Sequence, residues 1–186
     1  MATRYYDGER IYFRPLEMAD EALLRGWVGD PDNWSTLGRF LPVNELRERE
    51  WIEKLYKDDR DIVLGITVRE GDRLIGAAGL HAIHLANRAA IYGILIGDRE
   101  FQGKGYGTEA TRLMVKYAFE ELNLNRIELS VFADHERAVK CYQCAGFVIE
   151  GRARQAWFRN GRWHDDLRMA VLREEYEATQ GKRGDR

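Results

Sequence analysis

Three strand-like runs in succession, then a glycine-rich turn and a long amphipathic stretch, constrain this chain more than any single residue type. In DIVLGITVRE the residues Ile62, Leu64, Ile66 and Val68 alternate, the period of a half-buried strand. Gly71-Asp72 turns the chain into RLIGAAGLHAIHL, and Asn87-Arg88 turns it again into AAIYGILI. FQGKGYGTEA, residues 101–110, then sets Gly103, Gly105 and Gly107 on alternate positions. Behind it Ala110, Leu113, Met114, Tyr117, Ala118 and Leu122 share one helical face. A strand therefore leads through glycines straight into a helix N-terminus, where main-chain amides favour an anion.

The flanking segments complete one mixed sheet with helices packed on it, not a repeating βαβ array. Ile11, Phe13 and Pro15 predict a first strand. Asp20 is placed to cap a helix carrying Leu23, Leu24, Trp27 and Val28, and Asn44 a second with Trp51, Ile52 and Leu55 inward. Between them, DPDNWSTLGRFLPVN is a long aromatic-bearing connection, a length that tends to be functional. Asn123 and Asn125 end the helix after the glycine turn, RIELSVF follows as a strand, and Asp134 is placed to cap HERAVKCYQCA, which Gly146 terminates. FVIEGRARQAWF and RWHDDLRMAV are joined by Asn160-Gly161, a strong hairpin signal. The expected order is β-α-α-β-β-β-α-β-α-β-β, an α/β (α+β) fold with helices on both faces. It forms a single domain over 1–186, with its core at about 10–172 and a disordered polar tail at 179–186.

Composition removes several classes of function. The 186 residues suffice for a core without staples, and the two cysteines, Cys141 and Cys144, make no disulfide framework. A net charge of −2, from 29 basic and 31 acidic residues, lacks the basic stripe of a nucleic-acid binder. No apolar run approaches the ~18 residues that span a bilayer, and MATRYYDGERIYF lacks a signal-peptide core. A soluble, cytoplasmic chain with no nucleic-acid or membrane partner is expected.

The glycine turn admits three nucleotide-site readings beside a purely structural one. A P-loop needs a lysine followed by serine or threonine, which is absent, and a dinucleotide fingerprint needs G-x-G-x-x-G where this chain has G-x-G-x-G. The spacing Gln102-x-x-Gly105-x-Gly107 resembles the Q/R-x-x-G-x-G/A signature of the GNAT superfamily of acetyl-CoA-dependent N-acetyltransferases. Ala138, Tyr142, Gly146 and Phe147 in ERAVKCYQCAGF are similar to that family's fourth-helix pattern. RPLEMADEALL, REWIEKL and FRNGRWHDDLRM resemble its ribosomal-protein N-terminal and spermidine N-acetyltransferase branch, over about residues 10–172.

The resemblance implies acetyl-CoA as cosubstrate and no metal. Its pyrophosphate would meet the amides of Gly103, Lys104, Gly105, Tyr106, Gly107 and Thr108, beside Gln102. Ile94, Leu95 and Ile96 would supply main-chain contacts to the pantetheine and the oxyanion, while reading equally as strand core. Ala138 and His135 would border the pantetheine arm, His135 standing where relatives usually have asparagine. Tyr142 would be the general acid for the departing thiolate; without the motif it reads as a core aromatic. Many relatives carry a glutamate base where this chain has Ile91, so a water chain, His84 or Glu109 is left to take the proton.

The implied activity is acetyl transfer to a primary amine: a protein N-terminus, a polyamine, an amino sugar or an aminoglycoside. The rival is a non-catalytic acyl-CoA-binding module, motivated by Ile91. Trp34 and Phe40, with Trp157, Phe158 and Trp163, mark the expected acceptor side, and serve equally as core or as a homodimer surface. Asp30 and Asp32 are few for a polyamine site, and Arg39 stands nearby. Cys141 and Cys144 fall late in a helix and read as ordinary buried thiols; His81 and His84, three apart on a strand, should face opposite sides.

Overall fold

The alternating apolar runs assemble into one eight-stranded sheet in the order β1-β2-β3-β4-β5-β6-β8-β7. The computed structural model describes residues 4–34, 37 and 41–184. Its strands are β1 (Tyr6–Asp7), β2 (Ile11–Pro15), β3 (Ile62–Val68), β4 (Leu74–His84), β5 (Ala89–Ile96), β6 (Arg126–Phe132), β7 (Val148–Arg159) and β8 (Arg162–Leu172). The helices are α1 (Glu21–Gly29), α2 (Pro31–Trp34), α3 (Glu45–Leu55), α4 (Tyr106–Glu120), α5 (Glu136–Cys144) and α6 (Arg173–Gly184). The expected order is present, with β1, the short α2 and α6 added to it.

Helices cover both faces. Met114, Ala118 and Phe119 of α4 are buried against Ile66, Ala78, Tyr92 and Ile127 of the sheet. On the other face Leu24 and Trp27 of α1 meet Ile52 of α3 over Leu16, Leu74 and Leu95. Deleting one such side chain, Met114 for instance, costs about 2–5 kcal/mol.

All neighbouring strands run antiparallel except β5 and β6. That parallel pair is short, running from Ala89↔Arg126 to Ile91↔Glu128. Beyond Ile91 the strands separate: β5 stays with β4 as far as Ile96, while β6 stays with β8 as far as Phe132. The sheet therefore opens as a V between Tyr92–Ile96 and Leu129–Phe132.

Four details correct the sequence reading. The carboxylate of Asp20 makes no cap bond to α1; it accepts from the Glu17 amide at 2.8 Å and from Arg14 Nη1 and Nη2 at 2.8 Å each, locking the turn ahead of the helix. Asp134 does not cap α5, whose N-cap is His135; Asp134 instead pairs with Arg162 at 2.9 Å and His164 Nδ1 at 2.8 Å. A bulge at Ala82 (φ +48) shifts the register of β4, so His81 lies opposite Ile91 and His84 opposite Ala89. Both histidines thus face the same side of the sheet, because the extra residue breaks the two-residue alternation. Residues 179–184 continue α6, anchored where Tyr176 meets Phe119 at 5.3 Å and Arg173 Nε donates to the Leu124 carbonyl at 3.0 Å. Asn44 does cap α3, accepting from the Arg47 amide at 3.0 Å, and Asn160-Gly161 forms the hairpin with both φ positive (+48 and +76).

Candidate active-site cleft

The V opens into a cleft of about 470 Å³. Of the residues singled out from the sequence, Ile94, Leu95 and Ile96 line it from β5. Gln102, Gly103, Gly105, Gly107 and Thr108 line it from the glycine turn and the start of α4. His135, Ala138 and Tyr142 line it from α5. Residues forty positions apart in sequence thus meet because α4 and α5 flank one gap.

The turn is built for close approach. Gly103 (φ +72) and Gly105 (φ +85) adopt left-handed backbone, and Gly105 is the N-cap of α4. The first-turn amides of α4 have no intrahelical acceptor, and the helix dipole adds to their pull on an anion. A side chain at Gly105 would be strained, and its Cβ would stand 3.2 Å from Arg10 Nη2. The Gln102 amide holds the turn to the strand: Nε2 donates to the Ile96 carbonyl at 2.8 Å and to Asn33 Oδ1 at 3.1 Å. Asn33 is buried and in turn donates to the carbonyls of Trp27 and Gly97, at 3.2 Å each. Arg137 Nη2 donates to Gln102 Oε1 at 3.4 Å, which brings a guanidinium beside the glycines.

Tyr142 lies at the inner end, edge-on to Tyr92 (6.2 Å, 87°) and 6.0 Å from Phe147. Burial, with the neighbouring Cys141 thiol, pushes its phenol well above the ordinary range, so it stays protonated. His135 is pushed the other way by burial and by Arg137, which favours neutral imidazole. Below Tyr142, Tyr92 Oη donates to Thr111 Oγ1 at 3.0 Å, and Thr111 Oγ1 donates to the Gly107 carbonyl at 2.7 Å.

Other singled-out residues lie elsewhere. Lys104 is exposed outside the cleft, where its carbonyl accepts from Arg10 Nη1 at 3.1 Å. Tyr106 turns its ring between Phe101 (5.4 Å) and Arg10 (4.3 Å). Glu109 is committed to β2, accepting from the Arg10 amide at 2.7 Å, from Arg10 Nε at 2.9 Å and from the Ile11 amide at 3.2 Å. His84 is exposed, and its Nδ1 accepts from the Asn87 amide at 3.1 Å in the β4–β5 turn. Neither Glu109 nor His84 borders the cleft. The cysteines are not buried: Cys141 is half-buried and Cys144 exposed, and both line the cleft because α5 turns that face toward the gap. Among the described residues no cluster of His, Cys, Asp or Glu could hold a metal ion, and no helix is long and apolar enough to cross a membrane.

On the sheet face away from α4 and α5 a second set of side chains leads back from the V, starting at Ser130. Ser130 of β6 lines the cleft and donates its hydroxyl to Asp166 Oδ2. Asp166 of β8 is only 3% exposed, and its Oδ1 accepts from Trp157 Nε1 at 3.2 Å. Phe158 and Trp163 stack on each other at 5.2 Å, are 53% and 58% exposed, and lie on the opposite face of the hairpin from Trp157. Phe40, Arg39 and the Trp34 side chain fall outside the described residues. Sequence reasoning missed Asn33, Ser130, Arg137 and Asp166. Only Arg137 left a signal, as it stands with Lys140 three positions apart on the cleft-facing side of α5.

The chain matches the acetyltransferase (GNAT) domain family over residues 10–148. It is 36% identical over 176 residues to the Probable N-acetyltransferase YjcK of Bacillus subtilis (strain 168), covering 89% of this chain and 95% of that one. It is 35% identical over 171 residues to the Spermidine N(1)-acetyltransferase of Escherichia coli (strain K12), covering 90% and 89%. A crystal structure of spermidine N-acetyltransferase from Vibrio cholerae in complex with CoA and spermine superposes with a TM-score of 0.84 at 28% identity, over 90% of this chain and 98% of that one. With a glycine-lined helix N-terminus and a parted sheet whose form and sequence both match theirs, the chain belongs to the GNAT acetyltransferases, which use acetyl-CoA.

Proposed function

We propose that this chain transfers an acetyl group from acetyl-CoA to a primary amine by direct attack, with Tyr142 as general acid. The observation that carries the reading is the position of Tyr142, a buried phenol at the inner end of a cleft that begins at a glycine-lined helix N-terminus. The residues fit the donor. The amides of the α4 first turn suit the pyrophosphate, Arg137 and Lys140 add positive charge, and the edge of β5 that faces the gap past Ile91 has no strand partner among the described residues. That edge, at Ile94–Ile96, suits the pantetheine and the developing oxyanion.

Acetyl-CoA supplies an activated acyl group on a good leaving thiol. Tyr142 Oη holds the proton that the departing sulfur needs, and burial keeps it there across the neutral range. The acceptor must arrive as a neutral amine, though an alkylamine with pKa ~10.4 is almost wholly protonated near neutrality. Polyamines head the acceptors to be tried, because the relatives include spermidine N-acetyltransferases; N-terminal peptides and amino sugars come after them.

The test is thiol release from acetyl-CoA across an amine panel headed by spermidine and N-terminal peptides. Release with one acceptor class carries the reading. Thermal stabilisation by coenzyme A with no release from any amine replaces it with an acyl-CoA-binding module. Stabilisation by NAD or ATP without any by coenzyme A removes both.

A further inference from the structure

Amine acetylation needs a group to take the nitrogen's proton, and the residues first considered for it do not offer one. Ile91 is apolar, Glu109 is held by Arg10 and Ile11, and His84 caps a turn. We propose that Ser130 and Asp166 take that proton, on the sheet face opposite Tyr142; the inference rests on the function proposed above.

The geometry is specific. Residues alternate across a strand, so Val131 points into the core under α4 while Ser130 points to the other face and remains exposed at the cleft. The Ser130 hydroxyl hydrogen is committed to Asp166 Oδ2. Its lone pairs therefore face the cleft, where they can accept from an N–H but have no hydrogen to donate to it. Behind it Asp166 is buried and held from β7 by the neutral Trp157 N–H at 3.2 Å. The charged and titratable groups around it are few. Arg168 Nε of β8 stands 3.4 Å from Oδ2. His164, two residues away on the same face of β8, is tied to Asp134. Glu128, two residues before Ser130 on β6, is paired with Arg126 at 3.2 Å. A buried carboxylate behind an exposed hydroxyl is a relay with a mouth in the cleft.

The proton balance closes. The amine lone pair forms the C–N bond as the C–S bond breaks, and the departing sulfur takes the Tyr142 proton. The nitrogen, now acidic as it becomes an amide nitrogen, gives its surplus proton to Ser130 Oγ, which passes its own to Asp166 Oδ2. Water then returns one proton from Asp166 to the Tyr142 phenolate. A carboxylate suffices because it receives the proton during acyl transfer and need not strip a free ammonium ion.

The test measures kcat/KM against pH for two acceptors of different pKa, in wild type and in Ser130→Ala, Ser130→Thr, Asp166→Asn and His81→Gln. Ser130→Ala and Asp166→Asn should lower kcat about 100-fold, a general-base contribution. Acetyl-CoA affinity, measured calorimetrically, should stay within about threefold of wild type, and Ser130→Thr should restore most of the rate by restoring the hydroxyl. In wild type the acceptor's own ionisation should move when the acceptor changes, and below it a second limb, fixed by the relay carboxylate, should steepen the fall; in Ser130→Ala only the acceptor's ionisation should remain. His81→Gln, on the opposite bank where His81 Nε2 lies beside Gly93, should leave the limb in place. Should buried Asp166→Asn fail to fold, the exposed Ser130 variants decide alone. A Ser130→Ala enzyme within threefold of wild type, a wild-type profile without the fixed second limb, or that limb lost in His81→Gln overturns the relay. Wild type that binds coenzyme A yet acetylates no amine overturns the proposed function instead.

Discussion

On the α4/α5 side of the cleft, the anion would meet main-chain amides, with the Tyr142 phenol, the His135 imidazole, two thiols and two cations further along α5. On the other side β6 presents the Ser130 hydroxyl, backed by buried Asp166 of β8, which Trp157 of β7 holds in turn. A site made of backbone is restricted to sequences that let the backbone come close, so glycines must occur at fixed spacing. A site made of side chains can be rebuilt by any residues that pack there. On the function proposed above, the first side would hold acetyl-CoA and the second would meet the acceptor.

Substitutions on each side should separate these two modes, and the largest effect belongs to Tyr142. Tyr142→Phe removes one hydroxyl and should lower kcat ~10²–10⁴-fold with acetyl-CoA binding intact; a loss under about threefold makes Tyr142 a packing residue. Because burial raises its pKa, the wild-type rate should show no alkaline fall from Tyr142 within the ordinary phenol range.

Next comes the backbone itself. Gly105→Val places a β-branched residue at φ +85, where the strain alone is about 1–3 kcal/mol, and puts a side chain where the anion would approach. Saturating acetyl-CoA at ~100 Kd stabilises a binder by about 2.7 kcal/mol, and that shift in thermal unfolding should vanish in the variant. A folded Gly105→Val protein with unchanged affinity would show that the glycine turn is not where the anion sits.

Arg137→Ala should be milder, weakening acetyl-CoA about threefold to tenfold, because an exposed charge is screened by solvent and salt. Calorimetry at low and high salt checks it: the deficit should shrink as salt rises, and an equal deficit at both would assign Arg137 to holding Gln102 rather than to charge.

The smallest effect concerns His135. Its folded pKa is depressed, so the protein binds fewer protons there than the unfolded chain does. Its contribution to stability is full above the ordinary histidine range, near ~6.5, and is lost as pH falls through it toward the depressed value. His135→Asn should flatten the acid side of a melting-temperature profile between about pH 7 and 5, leaving acetyl-CoA affinity within threefold.

Legibility in the sequence follows the same division. Alternation in 62–68 and 89–96, the Asn160-Gly161 turn and the helix behind Gly107 are local patterns, and the structure has each of them. The glycines stood out by their own spacing, Gln102 and Tyr142 by their resemblance to the family's motifs, and all border the cleft. Asn33, Ser130 and Asp166 did not, because each acquires its meaning from a partner 36 or 69 positions away. The bulge at Ala82 was equally silent: an ordinary alanine at φ +48 shifts two histidines without any glycine to announce it. From the sequence no element was assigned to residues 173–178, where Tyr176 docks on Phe119 and anchors the first turns of α6.

The brief pairing of β5 with β6 has a kinetic consequence. Where two strands part in mid-sheet, the gap is a passage with a mouth on each face, one under α5 and one beside Ser130. On the function proposed above, the two substrates would meet there from opposite faces, and neither would have to leave before the other arrives. Such an arrangement has no need to store the acyl group on the protein between two half-reactions. Double-reciprocal plots for one substrate at several levels of the other should intersect, and either product should be able to depart first.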